Sequence, residues 1–359
     1  MTTVTVIVFT VNDNSKGTMT NIHDVAKAAG VSTASVSRFL SGQTIRKADA
    51  VRRAIDELGF QPSQVARSLK SGRHHSIGVI VPDIANPFFA ALVKGIETEL
   101  RPHDLQVILG NSDEDPEREE TLVADLTQRT DGLIMAPLSE NDRVALALMK
   151  SGIPVVLVDR DLASGPQFDG VMIDNTSGVQ QAIDHLVALG HTRIAAISGP
   201  LRSTPGRERH EALLARLAHH RLEADESIIA ISDFREAGGY AAMRGIWSAP
   251  DRPTAILVSN NLMTMGALKA LSDLGVRVPD ELSVVGFDDL PLAALLDPPL
   301  TVITRPDIAQ GSAAGRLLIE RLGSIEAPPA RRIVMPVALV VRRSTAHHAR
   351  LPKKDRASS

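Results

Sequence analysis

The chain has 359 residues, 43% hydrophobic and 23% charged, which describes an ordinary globular protein of two or three compact units and excludes a disordered, collagen-like or membrane-spanning chain. It has no cysteine, so a disulfide framework, a thiolate nucleophile and a Cys-based zinc site are all excluded, in keeping with a reducing cytoplasm. The formal net charge of −3 is uneven: residues 19–75 hold nine Lys or Arg against four acids, a net of +5 that leaves −8 on the part beyond. A small basic head on an acidic body points to a polyanion at one end and a different partner at the other.

Residues 1–18 carry a short β-branched run without a basic n-region or a small-residue cleavage site. They do not read as a signal peptide. Met19 stands directly before the first helix signal and reads as the natural start, leaving 1–18 as a disordered or mis-annotated leader. Asn21 is an N-cap that Asp24 can answer in a capping box, and the helix it opens should end near Ala29, where Gly30 supplies a turn. Ser32 can cap a second helix, so the outline is helix, tight turn, helix. A third helix from Lys47 to Leu58 places Val51, Ile55 and Leu58 on one face. Together these stripes close a core of about 40 residues, marginal alone.

Gly59 to Pro62 breaks the pattern. Pro62 to Lys70 is a nine-residue amphipathic stretch, too short to be a stable helix by itself, and is expected to order only against a partner. Residues 71–75 read as a linker. From Ser76 the rhythm becomes apolar strand, loop, helix. Strands are expected at 77–81, 106–109, 132–135, 155–158, 194–198, 254–258 and 283–287, with helices such as 88–100, 117–128 and 178–189 between them. Continuous Val/Ile runs alternating with helices imply parallel sheets covered on both faces, and about 270 such residues imply two Rossmann-like lobes.

The second head helix is the most specific local feature. Val36 and Leu40 can face the core, which leaves Thr33, Ala34, Ser37 and Arg38 on other faces. Such residues suit a helix in the DNA major groove: hydroxyls reach phosphates, Ala or Thr meets a thymine methyl, and Arg takes guanine O6 and N7 together. An ordinary surface helix with Ser and Thr as caps is the alternative.

The run from Asn21 to Ser32 (NIHDVAKAAGVS), followed by Ser35 to Gly42 (SVSRFLSG), closely resembles the head of the lactose/galactose repressor (LacI/GalR) family. The likeness continues through Glu57–Pro62, Ala66–Leu69 and Ile77–Phe89, with later echoes at 131–134, 190–191, 266–268 and 285–289, and covers about residues 19–345. It implies an all-α helix-turn-helix head (19–61), a hinge helix and linker (62–75), an α/β periplasmic-binding-protein-like core of two Rossmann-like lobes that binds effector and dimerises (76–345), and a flexible tail (346–359). It also implies a homodimeric regulator, a repressor, that binds double-stranded operator DNA under control of a small effector. In the family pattern Thr33, Ala34 and Arg38 match base-reading positions, while Ser32, Ser35 and Ser37 match phosphate-holding ones. Ala66 and Leu69 fall in the matching hinge helix, with Leu69 at the leucine wedged into the minor groove, where an apolar wedge kinks the duplex. Departures are a segment from Gly42 to Leu58 about two residues shorter than usual, Ser63 in place of the common Asn, and Asn261 where Asp is frequent.

The body of this family resembles periplasmic sugar-binding proteins, and in open parallel sheets ligands sit beyond the carboxyl ends of the strands. Asp83, Asn86 and Phe88 follow the first strand, Asp159 and Arg160 a later one, Asn260 the strand ending at Val258, and Asp288 the strand ending at Phe287. By family pattern Arg209 is an effector-gripping cation and Phe234 a stacking aromatic. Asp and Asn can fork onto vicinal hydroxyls, an aromatic can cover a sugar face, and Arg can take a carboxylate, so the expected effector is a sugar or sugar acid. The competing readings are helix caps for Asp83 and Asp288, a solvated charge for Arg209 and plain core for Phe88.

Two rival functions remain to be weighed. An exported solute-binding protein would share the body but needs a cleavable leader and has no use for residues 19–75. An α/β enzyme needs a catalytic constellation, and the chain has no phosphate loop, no Gly-x-Ser-x-Gly elbow and no His-Glu-x-x-His pair. No catalytic residue, cofactor, metal ligand set or membrane partner is expected. His219-His220 and His347-His348 are sequence neighbours that make poor chelates. The tail after Arg343 lacks apolar heptads, so a coiled-coil tetramer is not expected, whereas reading half a palindrome calls for a twofold partner.

Overall fold

The structure is a computed structural model that describes residues 20–40, 43–60, 73–138, 142–163, 167–290, 292–324 and 329–348. The leader 1–18, the hinge stretch 62–70 with Ser63, Ala66 and Leu69, and the tail from 349 onward lie outside the described residues. The chain divides into two compact units between His74 and His75.

The head unit is built from α1 (Ile22–Ala29), α2 (Thr33–Leu40) and α3 (Ala48–Leu58). Asn21 and Asp24 form the capping box, with Asn21 Oδ1 accepting from the His23 and Asp24 amides and Asp24 Oδ2 accepting from the Asn21 amide. Gly30 at φ 59° and Gly59 at φ 57° end α1 and α3 in the left-handed conformation that glycine reaches without a Cβ penalty. The expected apolar face of α3 is corrected by one residue: Leu58 is exposed, and Phe60 takes its place in the core. The cause is the turn at Gly59, which lets the Phe60 amide reach back to the Ile55 carbonyl and folds Phe60 against Val51 and Ala54.

The second unit holds two six-stranded sheets. Lobe 1 begins with β1 (Ser76–Val81), α4 (Pro87–Leu100), β2 (Gln106–Asn111), α5 (Pro116–Arg129), β3 (Gly132–Met135), α6 (Asp142–Ser151), β4 (Val155–Val158) and β5 (Asp169–Ile173). Lobe 2 follows with α7 (Asn175–Ala188), β6 (Ile194–Ser198), α8 (Thr204–His219), β7 (Ile229–Ile231), α9 (Glu236–Trp247), β8 (Ala255–Val258), α10 (Asn261–Asp273), β9 (Ser283–Phe287) and β10 (Thr301–Thr304). The chain then returns to lobe 1 for α11 (Asp307–Gly323) and β11 (Arg332–Met335), and ends in lobe 2 with β12 (Ala338–Val340). The sheet orders are β11-β5-β4-β3-β1-β2, all parallel, and β12-β10-β9-β8-β6-β7, parallel except for β12.

The central strands are buried along their whole length because helices cover both faces, which is why they read as unbroken Val/Ile runs. In each lobe one helix pair meets at glycines. A Cβ on Gly95 or Gly311 would overlap backbone of the facing helix between α4 and α11, and one on Gly266 or Gly239 would do so between α10 and α9. Backbones in such close contact leave the paired helices no room for a larger side chain at these positions. The lobes are joined by three crossovers, at Asp174, at Arg305-Pro306 and at Pro336-Val337.

Candidate functional site

The carboxyl ends of strands from both lobes face one cleft, whose empty space is about 440 Å3 when counted out into the open solvent at its mouth. All nine residues expected there, Asp83, Asn86, Phe88, Asp159, Arg160, Arg209, Phe234, Asn260 and Asp288, line it. They are joined by residues the strand-end rule did not collect: Phe89, Glu114, Pro205, Asp233, Arg235, Leu262 and Arg305. Arg305 follows β10, a short strand that sequence periodicity missed, so nothing marked it as a strand-end residue.

Four residues hold the left-handed backbone at the site: Glu114 at φ 57°, Asp159 at φ 64°, Phe234 at φ 65° and Asp288 at φ 70°. Non-glycine residues in that region are uncommon and gather where a side chain must be re-aimed at a ligand. The helix-cap readings of the two aspartates do not hold in their simple form. The cap of α4 is Asn86, whose Oδ1 accepts from the Phe88 amide at 3.0 Å, while Asp83 Oδ1 accepts from the Ala85 amide at 2.9 Å in a turn. Among the described residues no helix begins between Asp288 and Asp307, and the Asp288 Oδ1 is a buried oxygen without a hydrogen bond. Asn260 is a true cap, accepting from the Met263 amide at 2.8 Å while its Nδ2 donates to the Phe234 carbonyl at 2.9 Å.

Three buried guanidiniums organise the charge. Arg305 donates to Asp159 Oδ1 and Gln310 Oε1, both at 2.6 Å, lies 3.5 Å from Asp288 and from Asp307, and sits 3.8 Å over the Phe88 ring. Phe88 is therefore core and cleft wall at once. Burial opposes the charge on Arg305, but the facing carboxylates outweigh it and hold the cation firmly protonated. Asp307, half-buried beside it, is pushed up to about 7 by desolvation despite the pull of Arg305.

Arg209 has a different setting and is not a solvated charge. It is buried, donates Nε to Asn175 Oδ1 at 2.7 Å and Nη1 to the Ser259 carbonyl, and stacks 3.6 Å over the Phe287 ring. The nearest carboxylate is Asp288 at 4.0 Å. With weak compensation, burial lowers its pKa to about 10, which leaves an under-neutralised cation facing the cleft. Arg160 by contrast is paired in two prongs with Glu114, at 2.7 and 3.2 Å. Asn261 donates Nδ2 to Asn86 Oδ1 at 2.8 Å across the cleft. An aspartate at 261 has no proton to donate there, which accounts for the amide at that position.

On the head, Ala34 and Arg38 are exposed on one face of α2 and Thr33, Ser35 and Ser37 are half-buried, while Val36 is buried. Ser32 Oγ accepts from the Ser35 amide at 3.2 Å and lies 3.0 Å from Ser35 Oγ, so Ser32 is the cap of α2 and remains exposed. Arg46, Lys47, Arg52 and Arg53 are exposed as well, which gives this small unit a basic surface. Among the described residues no helix is long and apolar enough to cross a membrane.

Comparison with known proteins agrees with both halves. Residues 21–63 match the lacI family of bacterial regulatory proteins, and residues 183–345 match a periplasmic binding protein-like domain. The chain is 37% identical over 337 residues to the HTH-type transcriptional regulator PtxS of Pseudomonas aeruginosa, covering 92% of this chain and 97% of that one. Among solved structures it is similar to a transcriptional regulator CelR-cellobiose complex, with a TM-score of 0.70, 32% identity and coverage of 90% and 99%. It is also similar to the lac repressor dimer bound to operator and an anti-inducer, with a TM-score of 0.79, 27% identity and coverage of 91% and 99%. With a DNA-reading head and a two-lobed body accounted for together, the chain belongs to the lacI family of bacterial regulatory proteins and is a DNA-binding transcriptional regulator, not an exported solute-binding protein.

Proposed function

We propose that the protein is a homodimeric repressor whose operator affinity is set by a small polyhydroxylated effector, a sugar or sugar acid, held between the lobes of the core. The observation that carries the effector reading is the meeting of nine side chains from both lobes in one cleft, seven of them following strand ends, with Arg209 from α8 and Phe234 from the loop after β7. Asp159, Asn260 and Asp288 supply acceptors and an amide for hydroxyl pairs, Phe88 and Phe234 supply ring faces, Asp83 and Asn86 line the lobe 1 side, and Arg160 and Arg209 face any acidic group. The cellobiose bound by the CelR relative agrees with this class.

On DNA, Thr33, Ala34 and Arg38 read base edges while Ser32, Ser35 and Ser37 hold phosphates. Ala66 and Leu69 serve as the hinge contact, Leu69 as the minor-groove wedge. Closure of the lobes shifts the lobe next to the head across the dimer and separates the hinge segments, so operator affinity falls; linkage then requires operator to lower effector affinity by the same factor. The protein works in the cytoplasm, where the operator is.

A thermal-shift panel of sugars, sugar acids and nucleobases tests the class. At least one sugar or sugar acid should raise the melting temperature of the parent and not of Arg209→Met. The same compound should change the affinity for an operator obtained by selection from random duplexes, in either direction, which separates inducer from corepressor. Stabilisation by nucleobases alone would overturn the sugar reading.

A further inference from the structure

Opposite the three crossovers, at the mouth of the cleft, the two lobes touch through a charged pair. Arg235, at the start of α9 in lobe 2, donates Nη2 to the carbonyl oxygen of Asp113 in lobe 1 at 2.8 Å, and its guanidinium lies 3.5 Å from the Asp113 carboxylate. We propose that this pair is a latch across the mouth, which biases the lobes toward closure before any effector arrives. The proposal rests on the cleft being the effector site.

Both ends of the contact are built for presentation. Asp113 and Glu114 stand consecutively in the left-handed region, at φ 55° and 57°, and Phe234, the residue before Arg235, does so at φ 65°. Left-handed backbone at consecutive non-glycine residues persists only where the surroundings impose it. Here the Glu114 amide donates to the Pro82 carbonyl and the Asp115 amide to Ser112, which fixes the loop with the Asp113 carbonyl turned outward. On the facing lobe, Asp233 Oδ1 accepts from the Arg235 amide at 2.9 Å and fixes the base of the side chain.

The neighbour of each latch residue reaches the cleft. Glu114 grips Arg160, and the Arg160 guanidinium lies 5.3 Å from the centre of the Phe234 ring, in the other lobe. Closing the latch therefore also brings the cation of lobe 1 onto the aromatic of lobe 2. The other cross-cleft bonds, Asn86 with Asn261, the Asp161 amide with Thr204 Oγ1 at 2.9 Å and Arg305 with Asp159, involve buried or half-buried residues. Arg235 and Asp113 are each about half exposed, at 50% and 53%, so theirs is the contact that salt can weaken and that can reopen for exchange. An exposed pair is too weak to lock the lobes, and its expected effect is a two- to fivefold shift of the closed-to-open ratio.

Because the chain has no cysteine, spin labels can be placed at Glu117→Cys on α5 and Ala241→Cys on α9, both exposed, and the distance between lobes measured by pulsed electron resonance in the free full-length protein. At low salt the parent should show a dominant short-distance population. Arg235→Ala should lower the closed-to-open ratio two- to fivefold, and Arg235→Lys, which keeps a charged donor, should recover most of it. Raising NaCl from about 50 mM to about 500 mM should move the parent toward the Arg235→Ala distribution and leave that variant unchanged. Superimposable distributions for parent and Arg235→Ala at both salt levels would overturn the latch, as would a parent already open at low salt. Either result leaves the effector cleft standing, whereas a failed sugar panel with an intact salt-dependent shift removes the effector and keeps the latch.

Discussion

Replacing Arg305 with glutamine removes the cation that ties the crossover to both lobes. The guanidinium is 2% exposed and faces Asp159 in lobe 1, Asp288 in lobe 2 and Asp307 on α11. At an effective dielectric of about 20, one pair near 4 Å is worth about 4 kcal/mol, and breaking a buried pair costs about 3 to 5 kcal/mol because the partner charge is stranded. Glutamine can keep one hydrogen bond, and Asp307, already raised to about 7, can take a proton instead of remaining charged. These reliefs place the expected loss near 3 kcal/mol, a fall in melting temperature of roughly 6 to 12 °C at 2 to 4 °C per kcal/mol. Unfolding can be followed by the fluorescence of Trp247, the one tryptophan of the chain, which is buried in the lobe 2 core. Adding Asp159→Asn should recover about 1 kcal/mol or more by removing a stranded charge. A melting temperature within about 2 °C of the parent, or no recovery in the double variant, would refute the keystone role.

Three further outcomes follow from the geometry. Arg38→Ala should cost about 1 to 3 kcal/mol of operator binding and relax discrimination at one base pair per half-site, measured by anisotropy against single-base operator variants; an unchanged preference removes the base contact. His191 is buried, contacting the Ala346 carbonyl and Thr254 Oγ1, and burial pushes its pKa down to about 4. The folded state then binds this proton less readily than the unfolded one, so the stability it contributes is complete above about pH 6.5 and is lost as pH falls toward 4; His191→Gln should flatten that slope by on the order of 2 to 3 kcal/mol in urea titrations across the window. Gly266→Ala would drive a methyl into the Glu236 carbonyl of α9; a loss of roughly 1 to 3 kcal/mol is expected, and a neutral result would mean the helices separate without cost.

Much of this arrangement was legible in the chain because it is local. Asn21 with Asp24, Gly30 and the spacing of Val36 and Leu40 define the head without reference to anything distant. The unbroken Val/Ile runs announce buried parallel strands, and residues that follow four of them, β1, β4, β8 and β9, then fall at the cleft. What was missed is short or long-range. β7 and β12 have three residues each, and β5 opens with Asp169-Gly170, so none shows a usable period. Arg305 and Asp159 stand 146 positions apart, and no local signal relates them. The Leu58 assignment failed because helical periodicity was carried to the end of α3, while the turn at Gly59 hands the core position to Phe60.

The return of the chain to lobe 1 has a consequence for synthesis. The first sheet lacks its edge strand β11, and α4 lacks its partner α11, until Met335 has left the ribosome, whereas the core of the head is complete at Phe60. At roughly 5 to 20 residues per second that interval lasts about 14 to 55 s. Throughout it, a nascent polypeptide carries a finished DNA reader with no metabolite-responsive body, and what restrains it is solitude: one reader grips only half of a paired site.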